Sequence, residues 1–332
     1  MIISKTPLRI SFVGGGTDLP SFYKNNDYGA TVSTSINSYI YVIVKEHTTI
    51  YDERIRLNYS ETELVNDIED IKHPIIRECL KLLEIDDRIF IGTTADAPPS
   101  AGLGSSSTFT VGLLNALYKF KGIVASKGFL AEQASYIEID ILKQPIGKQD
   151  QYAASYGGLN HYQFNADNSV VITPLPIKLK ELHNLFDNLI SFWTRVTRPA
   201  DSILNEQDEN NRTRKINQEI LLKMRSQSET LRDYINENGF NVKYLGEMIN
   251  NGWIMKKQLA SKVSNSMIDE YYSIAMENGA IGGKISGAGG GGFLNVIAYN
   301  TKHNKLKYEL TKKGLIFYNF GFDPNGTIVM EY

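Results

Sequence analysis

The chain of 332 residues contains one cysteine. Cys79 therefore has no partner for a disulfide bond within the chain. It falls in an apolar pattern that predicts the buried face of a helix, together with Ile75, Ile76, Leu80 and Leu83. A single buried thiol is compatible with a reducing compartment, so we expect a cytoplasmic protein.

Long apolar runs and an excess of positive charge are also missing. Lys5 and Arg9 interrupt the N-terminal segment before it reaches the length of a signal peptide, and no later run approaches about 18 apolar residues. The 35 Lys and Arg residues are balanced by 37 Asp and Glu residues. We therefore expect no membrane and no nucleic acid as partner, because a phosphate backbone requires many cationic contacts.

A Walker A loop is absent, since G-x-x-x-x-G-K-[ST] occurs nowhere in the sequence. Any nucleotide must be held in another way. The segment 98–108, PPSAGLGSSST, is a candidate, because Gly102 and Gly104 allow close approach of the backbone and a predicted helix follows. Free N–H groups at the start of that helix favour a phosphate. The alternative is a flexible loop in which Ser105 or Ser106 only caps the helix.

Two further segments are rich in glycine. Residues 14–16 follow the first predicted strand and lie between Arg9 and Asp18. The segment 284–293, KISGAGGGGF, matches G-x-G-x-x-G, but a predicted strand follows it. A dinucleotide-binding fold requires a helix there and is excluded. These glycines predict a loop that can pass close to a bulky group, with a tight turn between strands as the alternative.

Hydrophobic periodicity divides the rest of the chain into strands and helices. Strands are predicted at 32–47, 88–94, 159–164, 169–174, 187–194, 280–286, 292–299, 315–320 and 326–331. Helices are predicted at 74–84, around 111–118, at 130–141, 148–156, 266–278 and 303–314, and throughout 199–262. This order predicts an α+β fold with helices on mostly antiparallel sheet, and the character of the chain changes near 180–198.

The three glycine-rich segments, in this order, resemble the GHMP kinase superfamily of galactokinases, homoserine kinases, mevalonate kinases and phosphomevalonate kinases. The most specific motif is P-x-x-x-G-L-G-S-S at 99–107. The resemblance implies a kinase that uses ATP and Mg²⁺. It also implies a two-domain architecture, with a ribosomal protein S5 domain 2-like ATP-binding domain at 1–190 and a ferredoxin-like α+β domain at 191–332.

The same resemblance implies roles for individual residues. The residues that would wrap the ATP phosphates are Pro99, Ser100, Ala101, Gly102, Leu103, Gly104, Ser105, Ser106 and Ser107. Ser106 and Glu138 are implied as Mg²⁺ ligands, with Asp140 as an alternative to Glu138. Asp150 is implied as the general base, and Arg9 as the cation beside that base and the transferred phosphoryl group.

Within the superfamily, the motif R-I-S-F-x-G-G-G-T-D, the segment 147–158 and the pair 197–198 are most similar to the D-glycero-D-manno-heptose 7-phosphate kinases. This similarity implies phosphorylation of the anomeric oxygen to give the 1,7-bisphosphate, for nucleotide-activated heptose and surface polysaccharide synthesis. Galactokinases read G-E-H-T-D at 14–18, so the glycines at positions 15 and 16 argue against galactose. The implied substrate-binding residues are Gly16, Thr17, Asp18, Arg198, Gly287, Ala288 and Gly289.

Several alternatives remain open at the level of sequence. Arg195 or Lys148 could hold the substrate phosphate in place of Arg198. A fucokinase-like enzyme acting on a free hexose would share the same motifs, and so would a catalytically silent sugar sensor. The joint presence of a candidate base and a candidate metal site argues against a sensor. The oligomeric state is not determined, and a homodimer is one option.

Overall fold

The computed structural model describes residues 1–197 and 201–332. Its strands are β1 (Ile2–Val13), β2 (Tyr28–Glu46), β3 (Ile55–Asn58), β4 (Thr62–Val65), β5 (Ile89–Ala95), β6 (Leu159–Asn165), β7 (Val170–Pro174), β8 (Leu189–Trp193), β9 (Gly282–Ile285), β10 (Phe293–Ile297), β11 (Ile316–Tyr318) and β12 (Ile328–Glu331). Its α-helices are α1 (Pro20–Tyr23), α2 (Pro74–Leu82), α3 (Ser105–Phe120), α4 (Lys127–Ser135), α5 (Gln149–Tyr156), α6 (Leu179–Asn188), α7 (Asp201–Thr213), α8 (Lys215–Asn238), α9 (Val242–Lys256), α10 (Ser266–Glu277) and α11 (Asn300–Lys312).

The first sheet has the strand order β12-β1-β2-β5-β3-β4, and β6 and β7 extend it from β2. Its long strand β2 pairs with β6 through its first half and with β5 through its second half. In β1, buried and half-exposed residues alternate over the first four positions, and all later positions are buried. The second half of β1 is therefore covered on both faces, which places it inside the molecule.

Helix α3 is the central helix of this part of the fold and packs on β1 and β2. Every residue from Ser107 to Tyr118 is buried. A helix that is buried all round belongs to the core and not to the surface. Its N-terminus is consequently held in a fixed position at the end of the loop 98–104.

The second sheet has the order β11-β8-β10-β9, and all its neighbouring strands are antiparallel. Numbered along the chain, this is the order 4-1-3-2. Helices α7 to α10 connect the first and second strands, and α11 connects the third and fourth. This is the ferredoxin-like arrangement. The predicted α+β class and its mostly antiparallel sheets are confirmed.

Local differences from the predictions have local causes. The predicted helix 130–141 is an α-helix only to Ser135, and Tyr136–Ile141 form a π-turn. The hairpin β3–β4 and helix α6 were not predicted, because their elements are short or lie where the chain changes character. Cys79 is buried on α2 as predicted.

The last strand of the chain returns to the first sheet, where β12 pairs with β1. The division at residue 190 remains a prediction; β8 begins at Leu189 and belongs to the second sheet. Over residues 1–197 and 201–332, no helix combines the length and apolar character needed to cross a membrane.

Candidate active site

The loop before α3 presents its backbone to a cavity. Ser100, Gly102 and Gly104 have φ values of 57°, 80° and 81°, so every second residue is left-handed. Such alternation turns backbone N–H groups toward one side, where they can bind an anion. Gly104 is the N-cap of α3 and provides no side-chain cap. The buried Oγ of Ser105 has no hydrogen-bond partner among residues 1–197 and 201–332. The helix N-terminus is therefore available to a phosphate.

The glycine-rich segment 284–293 packs against this loop. A Cβ on Gly102 would lie 2.5 Å from the carbonyl oxygen of Ser286, and one on Gly292 would lie 2.4 Å from that of Ala101. Side chains at these positions would push the two segments apart. Two of the three glycine-rich segments thus form one packed unit, and the glycines serve contact between backbones.

Glu138 lies in the π-turn and meets the start of α3. Its Oε1 accepts a hydrogen bond of 2.6 Å from Ser106 Oγ, and its Oε2 accepts one of 2.7 Å from Gln151 Nε2. Burial raises the pKa of Glu138 to about 7, although these hydrogen bonds oppose the shift. Asp140 is exposed. Of the two carboxylates considered from the sequence, the structure brings Glu138 to Ser106.

The surroundings of Glu138 fit a divalent cation. No described Lys, Arg or His forms a salt bridge with this buried carboxylate. Carboxylate and hydroxyl oxygens are ligands that Mg²⁺ accepts, and Mg²⁺ commonly uses one or two protein ligands together with phosphate oxygens and water. The described chain has no cluster of three His, Cys, Asp or Glu suited to a metal.

Arg9 and Asp150 form a two-point ion pair. Arg9 Nε donates to Oδ1 at 2.7 Å and Nη2 donates to Oδ2 at 2.6 Å, while Nη1 donates to the carbonyl oxygen of Gly102 at 2.7 Å. Arg9 lies just after a register shift between β1 and β2, a feature that redirects side chains near functional sites. Asp150 lies in the first turn of α5. The arginine thus orients the candidate base and connects it to the loop 98–104, the candidate phosphate loop.

Asp18 is a second buried carboxylate in this region. Its Oδ1 accepts a hydrogen bond of 2.9 Å from the N–H of Gly16, and burial is the main cause of its raised pKa. A Cβ on Gly147 would lie 2.1 Å from Asp18 Oδ2, so the loop before α5 packs directly on this carboxylate. Thr17 is buried and bonds to the backbone of Gly14 and Ala30, which fixes the turn.

One cavity of about 380 Å³ brings most of these residues together. The predicted site residues that line it are Arg9, Gly16, Asp18, Ser100, Gly102, Gly104, Ser105, Ser106, Ser107, Asp150, Gly287 and Ala288. The predicted residues Pro99, Ala101, Leu103, Thr17 and Gly289 do not line it, and Glu138 reaches it through Ser106. Gly289 packs against Val263 instead. The roles of these residues remain predictions.

The three cations considered for a substrate phosphate have different positions. Arg198 lies outside the described residues. Arg195 is exposed and does not line the cavity. Lys148 Nζ donates to both carboxylate oxygens of Glu132 and to the carbonyl oxygen of Asn168. Because an ammonium group has three donors, Lys148 has none left for a substrate in this conformation.

Among the cavity-lining residues that sequence reasoning missed are Lys256 and Gln207. Lys256 is buried at the end of α9, and Gln207 is buried on α7. Both lie on the inward face of their helix, after Ile249 and Trp253 in one case and after Ile203 in the other. A lysine or an amide at an apolar helical position was the signal that could have identified them.

Comparison with known proteins identifies the family. The GHMP kinases N terminal domain matches residues 74–158, and the GHMP kinases C terminal domain matches residues 228–314. The D-glycero-alpha-D-manno-heptose 7-phosphate kinase of Campylobacter jejuni is 30% identical and covers 98% of this chain and 97% of its own length. The chain belongs to the GHMP kinase family. GHMP kinases are ATP-dependent enzymes that generally use Mg²⁺.

Other GHMP kinases share the whole length of the chain. The mevalonate kinase of Saccharolobus solfataricus is 23% identical over 96% of this chain and 99% of its own. The crystal structure of a D-glycero-D-manno-heptose 1-phosphate kinase from Bacteroides thetaiotaomicron superimposes with a TM-score of 0.79 at 22% identity, covering 100% of this chain and 99% of that one. The predicted GHMP fold is therefore confirmed.

Proposed function

We propose that this GHMP kinase transfers the γ-phosphoryl group of ATP to a hydroxyl group of a sugar. The observation that carries the proposal is the Arg9–Asp150 pair, which shares a cavity with the open N-terminus of α3. An oriented carboxylate beside a phosphate cradle suits phosphoryl transfer, which depends mainly on positioning and charge stabilisation.

The specific acceptor that we propose is D-glycero-D-manno-heptose 7-phosphate, phosphorylated on its anomeric oxygen to give the 1,7-bisphosphate. Similarity over 98% of the chain to the Campylobacter heptose 7-phosphate kinase supports this sugar. The glycines at positions 15 and 16 support it further, because they leave out the Glu and His side chains of the galactokinase motif. Galactose is therefore disfavoured as acceptor.

In the proposed reaction, Asp150 accepts the proton of the attacking hydroxyl group. The sugar oxygen forms a bond to the γ-phosphorus while the bond from that phosphorus to the ADP oxygen breaks, and the proton is later released to water. Arg9 keeps the Asp150 carboxylate oriented through its two hydrogen bonds. The N–H groups at the start of α3 stabilise negative charge on the phosphates.

Ser106 and Glu138 are the residues that would hold Mg²⁺. When bound, the ion supplies positive charge to the phosphate oxygens of the nucleotide. Glu138 would then exchange an unfavourable buried position for one beside a cation. Gln151 holds the other carboxylate oxygen in place and so keeps the first oriented toward Ser106.

A second candidate is a fucokinase-like enzyme that phosphorylates a free hexose. The observation in its favour is that neither Arg195 nor Lys148 offers a free donor to the cavity. An acceptor without a phosphate would need no such cation. The two candidates differ in substrate but use the same base and the same phosphate loop.

A substrate panel tests both candidates. Release of ADP is measured with ATP and Mg²⁺ against heptose 7-phosphate, heptose 1-phosphate, free heptose, fucose and galactose, and each product is identified by mass spectrometry. We expect the highest kcat/KM with heptose 7-phosphate and a bisphosphate product. Equal or better turnover of a free hexose would replace this proposal by the fucokinase-like one. Absence of ADP formation with every acceptor would favour a non-catalytic sensor.

A further inference from the structure

Lys256 is a buried cation without an ionic partner. It is the last residue of α9 and lines the cavity, although only 6% of its surface is exposed. Within 1–197 and 201–332, its Nζ makes one hydrogen bond, to the carbonyl oxygen of Gly287 at 2.5 Å, and no salt bridge. Burial, assisted by the charge of Arg9, lowers its pKa to about 8. The ammonium form still predominates at pH 7.

The nearby acids do not neutralise Lys256 by direct contact. Asp150 is held by Arg9, and Asp18 is held by the N–H of Gly16. Both attract the Lys256 ammonium group only by electrostatic interaction over a longer distance. A buried charge without an ionic partner is costly, and such groups are concentrated at sites that bind a ligand. Two of the three ammonium donors are left for that ligand.

Gln207 adds a second unsatisfied donor to the same cavity. It is 1% exposed, and its Nε2 has no hydrogen-bond partner within the part of the chain that the structure describes. A buried amide group without a partner is destabilising, so its retention at a cavity wall points to a ligand that supplies an acceptor. Two side chains from two different helices therefore bring donors with unused hydrogen-bonding capacity to one cavity.

These donors lie beside the glycines that distinguish this chain from the galactokinase motif. A Cβ on Gly15 would lie 3.9 Å from Lys256 Nζ, and a Cβ on Gly16 would lie 2.5 Å from Gln207 Nε2. A larger side chain at position 16 would displace Gln207, and Gly16 also has a φ of 106°, which other residues rarely adopt. The glycines of the N-terminal loop therefore leave the space that the donors from α7 and α9 occupy.

We propose that Lys256 and Gln207 bind oxygen atoms of the acceptor and determine which acceptor the enzyme selects. They would donate hydrogen bonds, and Asp18 in the same cavity would accept one, so the site suits an acceptor that carries several oxygens. Those oxygens belong to hydroxyl groups or to a phosphate. This inference rests on the proposed kinase function and adds to it the residues that recognise the acceptor.

The test uses Lys256→Met and Gln207→Met, which keep the length of the side chain and remove its donors. With ATP and heptose 7-phosphate, we expect each variant to raise the KM of the acceptor by tenfold or more and to change the KM of ATP by less than twofold. An unchanged acceptor KM in both variants would overturn the proposal. A parallel rise in the KM of ATP would also overturn it, because the residues would then bind the nucleotide.

Lys257→Met and Gln258→Met are the matched controls. They follow Lys256 directly in the chain, and both side chains lie outside the cavity. We expect wild-type constants for both. Thermal unfolding separates a binding role from a structural one: Lys256→Met should not unfold at a lower temperature than wild type, because it removes an unpaired buried charge. A large fall in melting temperature with unchanged acceptor KM would make Lys256 structural.

Comparison of heptose 7-phosphate with free heptose identifies the oxygen that Lys256 binds. If Lys256→Met lowers kcat/KM only for the phosphorylated sugar, the ammonium binds the phosphate; if it lowers both equally, it binds a hydroxyl group. Failure of the proposed substrate is a separate result, seen with the wild-type enzyme. The variants are then measured with the acceptor that the substrate panel identifies.

Discussion

Individual carboxylates in this site have different surroundings, and these surroundings indicate their roles. Asp150 is oriented by a guanidinium group, whereas Glu138 is buried with only neutral donors around it. The first arrangement fixes the direction of the carboxylate. The second favours a proton or a metal ion. We therefore expect Glu138 to respond to pH and metal, and Asp150 to determine turnover.

Glu138 should make the stability of the metal-free protein depend on pH. Burial raises its pKa from 4.5 to about 7, so the folded state retains a proton that the unfolded chain has lost. The corresponding stabilisation, about 3 kcal/mol, is present below pH 4.5 and is lost as the pH rises through 7. Urea unfolding at pH 5 and pH 8 without Mg²⁺ should show most of this loss in wild type and not in Glu138→Gln. Equal losses in both proteins would assign the effect to other groups.

Replacement of the proposed base should act on turnover. Asp150→Asn keeps the shape of the side chain but cannot take up the proton, so we expect kcat to fall by roughly 10²- to 10⁴-fold while the affinity for ATP changes little. Steady-state kinetics and nucleotide binding measure the two effects. Asp140→Asn, an exposed carboxylate on the adjacent π-turn, is the control. Near-normal kcat in Asp150→Asn would make this residue structural.

At the scale of elements, the site depends on contact between two loops. The phosphate loop before α3 and the loop between β9 and β10 approach so closely that a methyl group does not fit between Gly102 and Ser286. The π-turn after α4 has a similar local role, because it carries Glu138 toward α3. Such turns occur frequently at functional sites. The regular helices and strands thus provide the scaffold, and the irregular segments between them orient the side chains and backbone groups of the candidate site.

Gly102→Ala should disrupt the contact between the loops. Gly102 and Gly122 both have positive φ, 80° and 74°, but a Cβ on Gly122 meets no atom within 4 Å. Both substitutions carry the backbone cost of about 1–2 kcal/mol, and only Gly102→Ala adds a steric one of roughly 1–3 kcal/mol. We expect a higher KM for ATP in Gly102→Ala alone. Urea unfolding and ATP kinetics are measured for Gly102→Ala and Gly122→Ala. Equal stabilities and equal KM values for ATP in the two variants would contradict this prediction.

At the scale of the whole molecule, both ends of the chain meet in the first sheet. Strand β12 covers the edge of β1, and the hydroxyl groups of Thr6 and Thr327 are hydrogen-bonded at 2.8 Å. Asn115 of α3 also donates to Thr327, at 3.0 Å. Because β1 carries Arg9, the last residues of the chain stabilise the strand that orients the candidate base.

Removal of residues 327–332 should therefore destabilise the N-terminal sheet. We expect a loss of roughly 2–4 kcal/mol, because the truncation removes a strand pairing and the bonds of Thr327. Tyr332→Ala is the control, since it keeps the backbone hydrogen bond between Tyr332 and Met1. Urea unfolding compares the three proteins. A truncated enzyme as stable as wild type would show that β12 covers the edge of β1 without stabilising the sheet.

The sequence by itself determined the glycine- and serine-rich loop before a helix, the α+β class and the family resemblance, because these depend on local spacing. Glycines and serines before a helical period predict a helix N-terminus wherever that helix lies in the fold. The buried position of Cys79 on α2 followed from helical periodicity in the same way. Helical periodicity could not decide between Glu138 and Asp140, because a π-turn changes which residues face inward.

Only the tertiary structure decided which distant groups share the cavity. Lys256 and Gln207 lie almost 200 residues or more after the glycines at 14–16. The sequence around each of them contains no motif that indicates a ligand. Lys148 has a basic side chain near the candidate base, yet Glu132 and Asn168 occupy its donors. Pairing between groups far apart in sequence depends on how the helices pack on the two sheets, and local patterns carry no record of that packing.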